Sequence, residues 1–194
     1  MNSTYNLCHI CIPISDKQEN HLLTKIQVLK NYYKSFKPID SKTFHITLFF
    51  IGTLNSAQIN KINEELKILI QDNADLFSKL TINIKSVSYF NNKHSIVLFA
   101  VVNNTNTLIQ INKLLSYKFS RYNTEKQPRF IPHLTLGRLY NKLDRQKFKG
   151  EFEQLILPVF NDLDLTFNPE KIILRGRNST NNELTDLQVF DLIL

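Results

Sequence analysis

A histidine and a threonine two residues apart occur twice in this chain, in His45-Ile46-Thr47-Leu48 and in His133-Leu134-Thr135-Leu136. Each tetrapeptide sits in a short apolar run, the composition of a β-strand. Alternate side chains of a strand point to the same face. His45 and Thr47 therefore share a face, as do His133 and Thr135, while Ile46, Leu48, Leu134 and Leu136 turn toward a core. The chain thus offers an imidazole beside a hydroxyl, twice, on two rigid supports. Paired histidines suit phosphodiester chemistry without a metal: one accepts a proton from the nucleophile and the other gives one to the leaving oxygen. The hydroxyls can hold phosphate oxygens.

The elements that must position these groups follow from spacing. Residues 7–13 read as a first strand ended by Pro13, and Ser15 or Asp16 caps a helix carrying Leu22, Leu23, Ile26, Leu29 and Tyr33. Pro38 closes that segment. Residues 44–51 form the first motif strand, stopped by Gly52, and Ser56 is the expected cap of a helix with Ile59, Ile62, Leu66, Leu69 and Ile70 on one face. Strands are expected at 80–87 and 95–102 with a turn at Asn91-Asn92. Thr105 or Thr107 opens a helix running to Phe119, and polar residues 121–129 form a loop. The second motif strand spans 131–139, with Pro132 at its start. A partly helical stretch at 147–159 and closing strands at 163–167, 171–177 and 187–194 complete the pattern.

That order predicts an α+β fold with two similar halves, each holding one His-x-Thr strand. The two histidines lie nearly half a chain apart. An internal duplication, with two lobes placing their motifs across a shared cleft, accounts for this. Residues 1–194 are read as one domain of two intertwined lobes, without a low-complexity linker.

Composition narrows the function classes. The 42% of hydrophobic residues argues against disorder, and the net charge of +7 favours an anionic partner such as nucleic acid or a nucleotide. Cys8 and Cys11, the two cysteines, lack a second pair for a zinc site and read as buried free thiols in a reducing cytosol. A cytoplasmic location is expected, with no signal peptide and no run approaching the roughly 20 apolar residues of a membrane span. Four glycines leave no place for a Walker loop or a Gly-x-Gly-x-x-Gly fingerprint. The acidic residues form no cluster of the two-metal kind, so neither a metal nor another cofactor is expected.

The flanks of the motifs carry a resemblance. Phe44-His45-Ile46-Thr47-Leu48-Phe49-Phe50-Ile51-Gly52 and Pro132-His133-Leu134-Thr135-Leu136-Gly137-Arg138 resemble the two signature elements of the 2H phosphoesterase superfamily, in its RNA 2′,3′-cyclic phosphodiesterase or 2′-5′ RNA ligase-like branch. The resemblance covers nearly the whole chain. It implies a bilobal α+β fold: two pseudo-twofold-related lobes, each with an antiparallel sheet and helices, around a central cleft. It implies hydrolysis of a 2′,3′-cyclic phosphate to a 2′-phosphate by a monomer. His45 would protonate the departing 3′ oxygen, His133 would activate water, and Thr47 and Thr135 would hold the non-bridging oxygens.

Three further residues are candidate substrate contacts. Arg138 faces away from His133 on a regular strand, and a bulge at Gly137 or the strand end would turn it back. Arg129 stands on the loop before the motif, where Lys126 and Arg121 add charge that belongs to a solvated face. His9 lies on the first strand, where the family has an aromatic residue bordering the cleft, and stacks a base or ribose in this reading. His21 on a helix and His94 in a turn carry no function. Aromatic residues flanking the motifs or at Tyr89 and Phe90 are mostly core, with one or two at the cleft mouth able to stack a base.

Two other functions fit the same residues. One is cleavage of 2′-5′ oligonucleotides or cyclic oligonucleotides. The other is an RNA-binding protein with little catalysis, which two intact motifs argue against.

Overall fold

The computed structural model describes residues 3–123 and 129–192, which leaves Lys126 outside the described residues. The elements are β1 (Thr4–Pro13), α1 (Asp16–Tyr32), β2 (Phe36–Pro38), β3 (His45–Asn55), α2 (Ser56–Asp72), α3 (Ala74–Ser78), β4 (Ile82–Asn91), β5 (Ile96–Val102), α4 (Asn106–Phe119), β6 (His133–Leu139), α5 (Lys142–Glu151), β7 (Leu165–Phe167), β8 (Lys171–Asn178) and β9 (Leu184–Asp191). The α+β class follows directly.

Several boundaries move for local reasons. The α2 helix is capped by Asn55 rather than Ser56: the Asn55 side chain accepts from the Gln58 amide at 2.9 Å, and the Gln58 side chain accepts from the Asn55 amide at 2.9 Å. This reciprocal pair satisfies two donors that the first turn leaves open. The Ser56 hydroxyl donates to the Ser3 carbonyl instead. The α5 helix begins at Lys142, earlier than expected, because the Asn141 side chain accepts from the amides of Leu143 and Asp144. It runs on through a π-helical turn, Phe152–Ile156, to Val159. The short strand β2 had no signal in a segment closed by Pro38.

One sheet forms rather than one sheet per lobe. Its order is β7-β4-β5-β6-β3-β1-β8-β9, with β2 paired to β6. The order is symmetric about its centre. On each side the motif strand is followed by the strand before its helix, β1 or β5, and then by β8 or β4 and β9 or β7. The two halves join at β3 and β6 through Ile46 opposite Leu134. Beyond that pair, β2 takes the β6 edge, with Phe36, Lys37 and Pro38 opposite Leu139, Arg138 and Gly137. The unit strand–helix–motif strand therefore occurs as β1-α1-β3 and as β5-α4-β6, both antiparallel.

Ile46, Leu48, Leu134 and Leu136 are fully buried, and α2 and α4 pack against β3 on that side. Leu22, Ile62, Leu66, Ile111, Leu115 and Phe119 extend the same core. The opposite face of the sheet carries His45, Thr47, His133 and Thr135, each half-buried.

Each motif strand holds a bulge at the same place. Cys11 pairs with Thr47 and Ile10 with Phe49, so Leu48 is the extra residue; Phe99 pairs with Thr135 and Leu98 with Gly137, so Leu136 is extra. A bulge withdraws a carbonyl from the ladder, and a buried carbonyl needs a donor. Leu48 receives the Asn112 side-chain amide of α4 at 2.7 Å, and Leu136 receives the Ile39 backbone amide at 3.0 Å. Replacing Asn112 with Leu strands the Leu48 carbonyl. The expected loss is about 1–3 kcal/mol, read as a lower urea midpoint at unchanged slope.

Candidate active site

The bridge between Ile46 and Leu134 is the centre of the site. One residue to either side, the antiparallel register sets His45 level with Thr135 and Thr47 level with His133. Each imidazole thus stands beside the hydroxyl of the other motif.

Both rings are anchored alike. The His45 Nδ1 donates to the Thr43 carbonyl at 2.7 Å, and the His133 Nδ1 donates to the Ile131 carbonyl at 2.7 Å. A carbonyl only accepts, so Nδ1 carries a hydrogen in either protonation state. In the neutral ring the lone pair sits on Nε2, which is the atom left to exchange protons. Burial pushes both imidazoles below their ordinary value of 6.5. At His45 the Thr43 carbonyl opposes this, while Arg175 and His133 add to it and Asp186 offsets them. At His133 the Ile131 carbonyl opposes it and Arg138 adds to it.

The bulges re-aim one residue in each half. Val97 pairs with Arg138, two positions from Phe99 with its partner Thr135, so Arg138 returns to the face of His133. In the other half His9 pairs with Phe50, and Phe50 takes the place equivalent to Arg138. One end of the site therefore carries a guanidinium and the other a phenyl ring. The condition attached to Arg138 in the sequence is met, at Leu136 rather than at Gly137. Gly137 serves close packing: a Cβ there would lie 2.3 Å from the Phe36 ring.

His9 is brought to the site in an unexpected manner. Its ring stacks on that of His45, centroids 4.7 Å apart and planes 26° apart, and only 8% of the residue is exposed. One face of His9 is thus occupied by protein. Its Nδ1 donates to the carbonyl of Leu7, a residue with φ of 53°, and its buried Nε2 has no partner among the described residues. Burial, followed by repulsion from His45, lowers its pKa to about 4.

The surroundings of His45 and His133 differ. Phe90 and Phe99 stand edge-on to His133, centroids 5.1 and 5.2 Å away, and stack on each other at 4.2 Å. Phe90 is opposite Val97 as Arg175 is opposite His9. Where the second half has Val97 and Phe90, the first has His9 and Arg175. Sequence reasoning misses Arg175, although a charged residue closing the apolar run Ile172-Ile173-Leu174 is a signal for it.

Other candidates lie elsewhere. Arg129 is exposed four residues ahead of His133, and none of the contacts among the described residues joins it to the motifs. Arg121 pairs with Glu65 of α2, and His21 and His94 are exposed. Cys8 and Cys11 are buried free thiols, raised by burial to about 11 and about 12. Among the described residues no three His, Cys, Asp or Glu side chains gather as a metal site, and no helix is long and apolar enough to cross a membrane.

The comparisons place the chain in the 2H phosphoesterase family. The chain belongs to the AKAP7 2′5′ RNA ligase-like domain family, whose model matches residues 8–183. It is similar to an RNA 2′,3′-cyclic phosphodiesterase of Thermotoga maritima, 28% identical over 102 residues that cover 52% of either chain. A second of that name, from Methanothermobacter thermautotrophicus, is 22% identical over 94% of this chain and 97% of its own. The chain spans about half the length of the Thermotoga relative and 65% of a third so named, from Methanocaldococcus jannaschii. Among solved structures, TT0787 of Thermus thermophilus shares the fold at a TM-score of 0.69, with 18% identity over 96% of this chain and 97% of its own. E. coli LigT complexed with 3′-AMP shares it at 0.66, with 15% identity over 98% and 99%.

The His9 environment has a consequence for stability. An unfolded chain protonates this imidazole near 6.5, whereas the fold resists until about 4. Between those values the unfolded state binds more protons, so stability falls as pH drops. Above 6.5 the contribution is fully present. The His9 part amounts to on the order of 3 kcal/mol. Urea midpoints at about pH 7 and about pH 4.5 are expected to differ less in His9→Phe than in the wild type.

Proposed function

We propose that this chain hydrolyses RNA ends bearing a 2′,3′-cyclic phosphate to a 2′-phosphate, with no metal ion, using His45 and His133 as acid and base. The observation that carries the reading is the junction at Ile46 and Leu134, which sets two Nδ1-anchored imidazoles and two hydroxyls on one face. The names of the curated relatives support the substrate class.

In this reaction the His133 Nε2 takes a proton from water as its oxygen attacks phosphorus. The bond from phosphorus to the 3′ oxygen breaks, and the His45 Nε2 hydrogen passes to that oxygen. Solvent exchange then returns both rings to their starting states. The Thr47 and Thr135 hydroxyls donate to the non-bridging oxygens, and Arg138 balances the charge that builds there. Both motifs come from one chain, so the reading is of a monomer.

The test is hydrolysis of an RNA with a 2′,3′-cyclic end, in EDTA, with the product isomer identified. The wild type is expected to yield a 2′-phosphate. His45→Ala and His133→Ala are each expected to lose roughly 10²–10⁴-fold in kcat with little change in melting. Strict dependence on a divalent ion, or substantial turnover in either variant, overturns the mechanism. Thr47→Ala and Thr135→Ala lose one neutral donor each and should be milder.

The pH profile follows from the sign of the shifts. The acid must be protonated and the base neutral, so kcat/KM is bell-shaped. Both imidazoles are held below 6.5 in the free protein. The maximum of kcat/KM is therefore expected on the acid side of 6.5. A bound phosphate favours both imidazolium forms, which moves the kcat profile to higher pH.

A further inference from the structure

Arg175 is a cation placed inside a sheet. Only 6% of it is exposed, and it stands on the cleft face of β8 opposite His9. A buried guanidinium needs an anion and geometric satisfaction. Asp186 on β9 supplies both: its carboxylate accepts from Nε at 2.6 Å and from Nη2 at 3.2 Å. The remaining arm reaches further than stability requires. Nη1 donates to the Thr43 carbonyl at 3.4 Å, and that carbonyl is the acceptor for the His45 Nδ1.

Thr43 lies at the end of a short 3₁₀ turn, Ser41–Thr43, ahead of β3. Its carbonyl is outside the ladder that orders the motif strand. The Phe44 amide of the same peptide group donates to the Ser41 carbonyl at 2.9 Å, and the ring and the guanidinium add two donors at the Thr43 oxygen. In the second half the position equivalent to Arg175 is Phe90, so His133 has no matching support from that strand.

We infer that Arg175 and Asp186 are positioning residues for His45: the carboxylate holds the guanidinium, the guanidinium holds the Thr43 carbonyl, and the carbonyl orients the ring with Nε2 toward the cleft. This rests on the proposed proton-transfer role of His45. Neither residue touches substrate in this account. The pair also sets the charge around the ring. Among the described residues, the groups facing His45 are His9 from β1, His133 from β6, Arg175 from β8 and Asp186 from β9. Arg175 disfavours the imidazolium and Asp186 favours it. Removing one or the other should therefore move the His45 titration in opposite directions.

The experiment is a nitrogen-15 NMR titration of the histidines in the full chain, with pH–rate profiles of the same samples. Wild type, Arg175→Gln, Arg175→Lys and Asp186→Asn are compared. The His45 pKa is expected to rise in Arg175→Gln and to fall in Asp186→Asn, while His133 stays in place. In Arg175→Gln, kcat should drop about ten- to a hundredfold with KM nearly unchanged, and Arg175→Lys should recover part of the loss. Asp186 is 41% exposed at its side chain and borders a cavity of about 360 Å³ with Lys171 and Ser15, so asparagine is readily accommodated. That variant keeps the idea open to refutation if Arg175→Gln fails to fold. Shifts of one sign in both variants, or none, overturn the inference. Opposite shifts with unmoved pH–rate profiles leave the positioning intact and remove His45 from proton transfer.

Discussion

The geometry of this protein depends on one pair of residues, Ile46 and Leu134, whose backbones join two half-sheets. Both side chains are fully buried, so the junction is tied to the core beneath it. A strand's period of two then dictates what appears on the opposite face. The neighbours of Ile46 are His45 and Thr47, and the neighbours of Leu134 are His133 and Thr135. A slip of one residue at this single pairing would bury the polar groups and expose the apolar ones. Burial of the isoleucine and the leucines thereby fixes the spacing of the histidines, and packing in the core becomes precision in the cleft.

The bulges are the second constraint. Both fall at the motif leucine, and both have a dedicated hydrogen-bond donor for the carbonyl they release. Each donor comes from outside the strand pair, Asn112 from α4 and the Ile39 amide from the segment after β2. The helix that covers β3 therefore also maintains the irregularity that turns Phe50 to the face of the motifs. The same device in the second half turns Arg138. Two features read as separate in a topology diagram, helix packing and residue aim, are one interaction here.

Much of this was legible in the sequence. Alternation in the two tetrapeptides gave the faces of eight residues, and all four apolar members are in the core. Helical spacing located α1, α2 and α4 because each has a stripe of Leu and Ile at i, i+3, i+4. The misses have physical reasons. Asn55 outcompetes Ser56 as a cap because Gln58 stands three residues on to return the bond. The strand β2 is three residues long, below what a pattern reveals. The pairing of Arg175 with Thr43 spans most of the chain, and no local rule joins a strand cation to a distant carbonyl. The stacking of His9 on His45 was hidden for the same reason: the two rings come from different strands, and they meet only through a register that neither strand states alone.

Backbone symmetry and side-chain asymmetry divide the labour of the site. Equivalent strands, equivalent bulges and equivalent Nδ1 anchors make the two imidazoles geometrically alike. In the proposed reaction, however, acid and base must differ in protonation at the same moment. The side chains around the two rings differ: His9 on the adjacent strand, Arg175 two strands out and Asp186 three strands out surround one ring, and Phe99 on the adjacent strand and Phe90 two strands out border the other. Burial leads at both rings; Arg138 adds to it at His133, while at His45 Arg175 adds to it and Asp186 opposes it. Under the proposed reaction, a duplicated frame would keep two identical motifs and give them opposite tasks, with the substitutions that break the symmetry in the flanking strands.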